Sequence, residues 1–264
     1  MFDIQLPIII THAALLTVAL FTGILVYLHD NKSATNKVFT ALVLSIVLWD
    51  VANFLSFSFI DPYHALIGIK FVMMSASLLT ICILFFACVF PKKDLFLTKR
   101  KKIFIAVASV LFIVSGYFVW GDIDMDATLQ SGVPVPLPYE IVFMEHATFP
   151  VMPIWGFFSI VSLLSAIIVL VSRYKRSQGE DKKRYMSVIL GLATTFFLLP
   201  VFLFLPVALF QNVDFNYYGP LAYVPLFWGA GYGILRHHIF NVKMMMVEVL
   251  VFIGLLVLFI NLFI

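Results

Sequence analysis

Charged residues are scarce in this chain of 264 residues, because Asp, Glu, Lys and Arg make up 12% of it and hydrophobic residues 62%. A water-soluble domain is typically about half apolar and about a quarter charged. One water-soluble core cannot bury so large an apolar share, so much of the surface must face lipid. The two cysteines, Cys82 and Cys88, lie within one apolar stretch, which excludes a disulfide-stapled extracellular framework.

Basic residues are missing from the N-terminal segment, where no Lys or Arg precedes residue 32. A cleaved signal peptide begins with positive residues before a short apolar stretch, so we expect the first apolar segment to be retained as a helix. The basic residues lie in short links between apolar runs rather than on one face of a folded domain, which excludes nucleic-acid binding. Period-two alternation is absent as well, and this argues against a transmembrane β-barrel.

Eight apolar runs are long enough to cross a bilayer, since a helix needs about 20 apolar residues to span the hydrocarbon core. They predict an all-α fold, a polytopic transmembrane helix bundle whose antiparallel helices are joined by short links. Residues 1–243 form the seven-helix domain, and an eighth, C-terminal helix covers 244–264. The eight runs are 5–28, 38–60, 66–90, 103–121, 150–172, 187–210, 215–235 and 244–264.

The links between the runs differ in charge. Every Lys and Arg except Lys70 lies in the first, third, fifth or seventh link, whereas the other three links carry acidic residues and no basic ones. Because cytoplasmic loops are rich in Lys and Arg, we expect the N-terminus to lie outside. An eighth span would then leave the C-terminus outside too. We therefore interpret 244–264 as the first half of a truncated hairpin, or as a helix lying partly in the interface.

The longest external segment, 122–149, is predicted to cap the bundle, because its prolines block a helix. Three aspartates at alternate positions in it resemble the start of a calcium-binding loop. However, Ala127 stands where such a loop needs glycine, and Val133 where it needs a bidentate glutamate. We therefore predict no metal site.

Ionisable side chains at membrane depth are costly and mark functional sites by default. Asp50 lies near the middle of the second run, and Asn53 follows on the same helix face. We predict that these two residues and Lys70 bind a ligand, with Trp49 and Trp228 as walls. The alternatives are a structural hydrogen-bond pair for Asp50 and Asn53, and for Lys70 an ion pair with Asp50 or a position reaching the surface.

Two further ionisable residues have alternative interpretations. His12, in the first run, either faces the same outer cavity as Lys70 or is a packed polar residue. Glu248 begins the eighth run close to Lys243 and Arg236, where an interfacial ion pair is expected.

Other classes of membrane protein lack support in the sequence. A retinal-binding rhodopsin needs a lysine in its seventh helix, and run 215–235 contains none. An intramembrane zinc hydrolase needs several histidines and carboxylates at one depth, and no such group is present. A small-molecule transporter or channel-like protein remains the alternative. Pro200 and Pro206 interrupt the sixth run, but the other half of the chain has no matching interruption.

The C-terminal third carries a pattern that resembles a known family. It consists of Tyr218-Gly219-Pro220-Leu221 followed by Gly-Tyr-Gly-Ile-Leu-Arg-His-His-Ile-Phe-Asn-Val-Lys over 231–243. The seven-helix N-terminal region of bacterial membrane histidine kinases ends similarly, with Gly-Pro before helix seven and then Tyr-x-Ile-x-Arg. Further markers of that family are Trp49, Phe90-Pro91 and Glu248. The chain departs from the family at Asn241, where Asp is common, and at Thr194-Thr195, where many members have Asn.

The resemblance implies the sensor, or input, module of a two-component signalling receptor in the bacterial inner membrane. It also implies a homodimer. Our hypothesis for the stimulus is a small-molecule or lipophilic ligand that enters from outside or from the outer leaflet. The signal would pass through helices 7 and 8, along Arg236, Lys243 and Glu248, to a missing cytoplasmic kinase. The sequence has neither a soluble phosphoacceptor helix nor a glycine-rich nucleotide lid. The chain as given is therefore not expected to be an enzyme, and no cofactor is expected.

Overall fold

The computed structural model describes residues 6–58, 62–91, 99–118, 151–203 and 214–235. Within these ranges the regular structure is entirely helical, as the sequence predicts, and each of the first seven predicted runs overlaps a helix. The helices are α1 (Leu6–His29), α2 (Ala34–Ser58), α3 (Pro62–Val89), α4 (Lys99–Tyr117), α5 (Val151–Arg176), α6 (Gly179–Leu203), a 3₁₀ helix (Asp214–Tyr223) and α7 (Val224–Leu235).

Four of these helices are long and apolar enough to cross a membrane, namely α1, α2, α3 and α5. Large apolar side chains project outward from the helices, among them Leu28, Leu111, Ile168 and Phe197. In a bilayer such side chains face lipid at no cost. The helices α2 and α3 form the centre, with half of each spanning segment buried, whereas 17% of the corresponding part of α5 is buried.

Several helix ends differ from the predicted runs. The helix α6 begins at Gly179 rather than 187, because Glu180 and Asp181 in its first turn interact favourably with the helix dipole. Gly179 has a φ of 58°, a left-handed conformation that glycine adopts without strain, and it turns the chain between α5 and α6.

The predicted seventh run is divided into two kinds of helix. It begins as a 3₁₀ helix that contains Pro220, which has no N–H to donate to an α-helical ladder. The α-helix starts at Val224, and Pro225 in its first turn is tolerated there. The segment 122–149, the end of the sixth run and the run 244–264 lie outside the described residues.

The helices α6 and α7 approach each other closely at two glycines. A Cβ atom on Gly191 would lie 2.5 Å from the carbonyl oxygen of Pro225, and one on Gly229 would collide with the carbonyl oxygen of Ser187. The Ser187 hydroxyl also donates a hydrogen bond to the Gly229 carbonyl at 3.0 Å. Small residues allow this backbone contact, which fixes the position of α7 against α6.

Replacing Gly229 by Ala should destabilise the bundle by about 1–3 kcal/mol, the usual cost of overpacking a close contact. Unfolding of the purified protein in mixed detergent micelles would measure this. Gly156→Ala is the matched control, because no described atom lies within 4 Å of a Cβ at that position. The control should be neutral or stabilising by up to about 1 kcal/mol through helix propensity. Equal losses in both variants would contradict the close α6–α7 contact.

Candidate functional site

A buried pair of ionisable side chains joins α1 to α2. His12 Nδ1 and Asp50 Oδ1 lie 2.7 Å apart, and their side chains are 5% and 1% exposed. An isolated carboxylate at this depth would be costly, whereas a buried hydrogen-bond partner offsets much of the cost. His12 is therefore the residue that makes Asp50 tolerable inside the bundle.

One aromatic ring packs on the pair, and a second belongs to the chain neighbour of Asp50. The Phe54 ring centroid lies 5.3 Å from that of His12. Trp49, next to Asp50 in the chain, packs edge-on against Tyr223 with centroids 5.1 Å apart. Because Tyr223 ends the 3₁₀ helix and directly precedes α7, the surroundings of Asp50 are in contact with the start of α7.

Five buried side-chain polar atoms in the described part of the chain have no hydrogen-bond partner there. They are Asp50 Oδ2, His12 Nε2, Ser159 Oγ on α5, and Arg184 Nε and Thr195 Oγ1 on α6. Leaving such an atom unpaired costs about 1–3 kcal/mol, so each one needs an explanation. Two of the five lie side by side in the buried pair, which marks it as the strongest candidate for binding a further group.

The other predicted site residues have different surroundings. Asn53 is buried, and its side-chain amide donates to the Trp49 carbonyl of its own helix at 2.9 Å. Lys70 is 7% exposed, with its Nζ 5.1 Å from the centroid of the Tyr117 ring on α4. The expectation that Lys70 reaches the surface is therefore wrong. Trp228 is 38% exposed on the outside of α7.

The structure thus brings Asp50, Asn53 and Trp49 together on α2 and adds His12, which was not predicted as the partner of Asp50. A signal for it exists in the sequence. His12 and Asp50 each lie about two turns from the same end of antiparallel helices. Opposite ionisable groups at equal depth on consecutive helices are natural partners. Arg236, Lys243 and Glu248, predicted to carry the output, lie outside the described residues.

The opposite end of the bundle contains a second polar cluster, centred on Arg173 of α5. Its guanidinium donates to the carbonyl oxygens of Ala87 at 3.2 Å, Cys88 at 2.6 Å and Phe90 at 2.7 Å. The last carbonyls of a helix have no partner within that helix, so Arg173 caps the end of α3 from a neighbouring helix.

Phe90 connects this cap to α6 and α7. The Tyr185 hydroxyl donates to the Phe90 carbonyl at 3.3 Å, and the two rings pack edge-on. Tyr185 lies just before the predicted sixth span. Burial raises the pKa of its hydroxyl above the ordinary value, with Arg173 opposing the shift, so Tyr185 remains a neutral donor. A Cβ on Gly233 would lie 3.1 Å from Phe90 Cζ, which places Phe90 directly against the last turn of α7.

The geometry can be compared with known proteins. The family model of the N-terminal seven-transmembrane region of histidine kinases matches residues 12–243. The chain belongs to this family. The matched range runs from His12 in α1 past the end of α7, and it confirms the resemblance seen in the C-terminal third. No curated protein and no solved structure shows significant similarity to the chain.

We expect Arg173→Ala to destabilise the protein by about 2–4 kcal/mol, because it leaves three carbonyl groups without their charged donor. Arg173→Lys should recover only part of this loss, since an ammonium lacks the planar fork that reaches several carbonyls at once. Arg176→Ala removes an exposed charge three residues along and serves as the control. Unfolding in mixed micelles measures all three, and an Arg173→Ala variant as stable as the control would contradict the capping role.

Proposed function

We propose that this chain is the sensor module of a two-component receptor and controls a cytoplasmic histidine kinase in a longer parent protein. Membership of the kinase seven-transmembrane family carries the proposal, since this region lies N-terminal to the catalytic domains. On this proposal the chain itself catalyses no reaction. Its role is to bind a stimulus and change the arrangement of its helices.

The proposed stimulus is a small or lipophilic molecule that binds near Asp50. Support comes from Asp50 Oδ2, a buried polar atom that lacks a partner among the described residues. Trp49 would supply an apolar wall, and Asn53 and Lys70 further polar groups. To transmit anything, the ligand must bind one helix arrangement more tightly than the other.

We propose α7 as the output element, because it is in contact with polar clusters at both ends. Tyr223, just before α7, packs on Trp49, and Gly233 in its last turn faces Phe90. A shift near Asp50 would thus move a helix whose other end adjoins the Arg173 cap. From there the signal would continue through Arg236 and Lys243 to Glu248, in a homodimer.

We also propose that the N-terminus lies outside the bacterial inner membrane. The distribution of Lys and Arg among the links supports this orientation. A small cleft is lined by residues from the α1–α2 turn, the end of α3, the start of α6 and the end of α7. The α1–α2 turn and the described helix ends that border the other proposed cytoplasmic links therefore lie at one end of the bundle, as this orientation requires.

Asp50→Asn tests the sensing role, because the amide keeps the shape of the side chain but not its charge. In the parent kinase we expect normal expression and a change in basal autophosphorylation of about fivefold or more, the lower range of allosteric coupling. Asp181→Asn, which alters an exposed carboxylate on α6, should have no effect. An Asp50→Asn protein with unchanged autophosphorylation would contradict a sensing role, and one that fails to fold would show that Asp50 is structural.

Single cysteines in a variant without Cys82 and Cys88 test the orientation. Gln178→Cys, in the exposed α5–α6 link, should react with a membrane-impermeant maleimide only after the cells are permeabilised. His64→Cys, exposed at the start of α3, should react in intact cells. The reverse pattern would show that the N-terminus is cytoplasmic.

A further inference from the structure

The His12–Asp50 pair has three possible protonation levels, which belong to the pair rather than to either residue. With one shared proton the pair is neutral, either as carboxylate and imidazolium or as carboxylic acid and imidazole. With none it carries a net negative charge, and with two a net positive charge. Because both side chains are buried, the neutral form is the favoured resting state.

In the described part of the chain, few other charged groups lie in the helices that pack against the pair. Asp50 is the single acidic residue in α1, α2, α3 and α7. From α3, the cationic residue at this end of the bundle is Lys70, which lies over Tyr117, while His64 is exposed. The 3₁₀ helix begins with Asp214 and ends with Tyr223 beside Trp49, and its other titratable residues are Tyr217 and Tyr218. The helix α7 contributes Tyr232 near its opposite end. Within α1, α2, α3 and α7 the pair therefore has no second carboxylate to take up a proton in its place.

The position of an additional proton follows from the hydrogen bond. If the resting pair is carboxylate and imidazolium, both ring nitrogens already carry hydrogen, and the proton adds to Asp50 Oδ2. If the resting pair is carboxylic acid and imidazole, His12 Nδ1 takes the shared proton as the new one binds Oδ2. Both routes end with a protonated Oδ2 beside an imidazolium, and Oδ2 has no hydrogen-bond partner among the described residues.

We propose that the His12–Asp50 pair is a proton-binding site, which holds one proton at neutral pH and binds a second at Asp50 Oδ2 when the solution is acidified. The second proton removes the negative charge of the acceptor, so the imidazolium then donates to a neutral carboxyl group, and this hydrogen bond is weaker than one between two opposite charges. It therefore loosens the contact of α1 with α2 directly beside Trp49. The idea that this proton regulates the sensing site rests on the proposed function. The binding of the proton itself does not.

Infrared difference spectroscopy of the purified chain in lipid nanodiscs tests this site between about pH 8 and about pH 5. The wild type should show a change in the band of a protonated buried carboxyl group, as a new band or a shifted one. Asp50→Asn should abolish the change. His12→Gln should abolish it too, because Asp50 without a cationic partner stays protonated throughout. Asp181→Asn, the exposed control, should retain it.

The double variant His12→Gln with Asp50→Asn guards against misfolding, because two amides can still hydrogen-bond between α1 and α2. It should fold and lack the spectral change. No change in the wild type, or a change that persists in Asp50→Asn or His12→Gln, would overturn the proposal. The infrared experiment contains neither ligand nor kinase, so a negative result would leave the sensor assignment intact. The autophosphorylation of the Asp50→Asn kinase tests that assignment separately.

Discussion

The structure depends on one constraint, which is that polar groups inside a bilayer must find partners within the protein. Serine and threonine side chains meet it locally by bonding to carbonyls of their own helix, as Ser75 does with Phe71. Larger polar groups meet it between helices. Arg173 satisfies the open carbonyls at the end of α3, and His12 offsets the charge of Asp50. These two contacts lie at opposite ends of the bundle. The first joins α5 to α3, and the second joins α1 to α2.

The helical type of the fold and the approximate positions of the first seven runs could be predicted because length and hydrophobicity are local properties of the sequence. Each of the first seven apolar runs overlaps a described helix, and Asp50 could be singled out because a charge in an apolar run is conspicuous. The 3₁₀ geometry before α7 was foreseeable in principle from Pro220, since proline removes a backbone donor. The early start of α6 follows from Glu180 and Asp181 in its first turn. A search for apolar runs does not include such acidic residues in a predicted span.

The partners of the polar residues could not be predicted so readily, because they depend on which helix faces which. His12 resembles a packed polar residue until α1 is placed beside α2. The glycines of α7 show the same limit. Gly229 and Gly233 lie on one face against α6, while Gly231 faces Thr22 and Phe39. Because the three glycines occupy alternate positions in the sequence, the sequence alone does not show that they belong to two different faces. A position at the surface was one alternative for Lys70, but its side chain is buried, with its Nζ over the ring of Tyr117.

The outermost of the long helices, α5, is attached to α3 by polar contacts at both of its ends. The Trp155 indole donates to the Ser77 hydroxyl at 2.7 Å, and Arg173 caps α3 at the other end. The helix between these two attachments is about 27 Å long, close to the thickness of a bilayer's hydrocarbon core. A bilayer of different thickness cannot be matched by sliding α5 along α3. The two helices must tilt together, so a change in lipid composition that alters bilayer thickness changes the tilt of both helices at once.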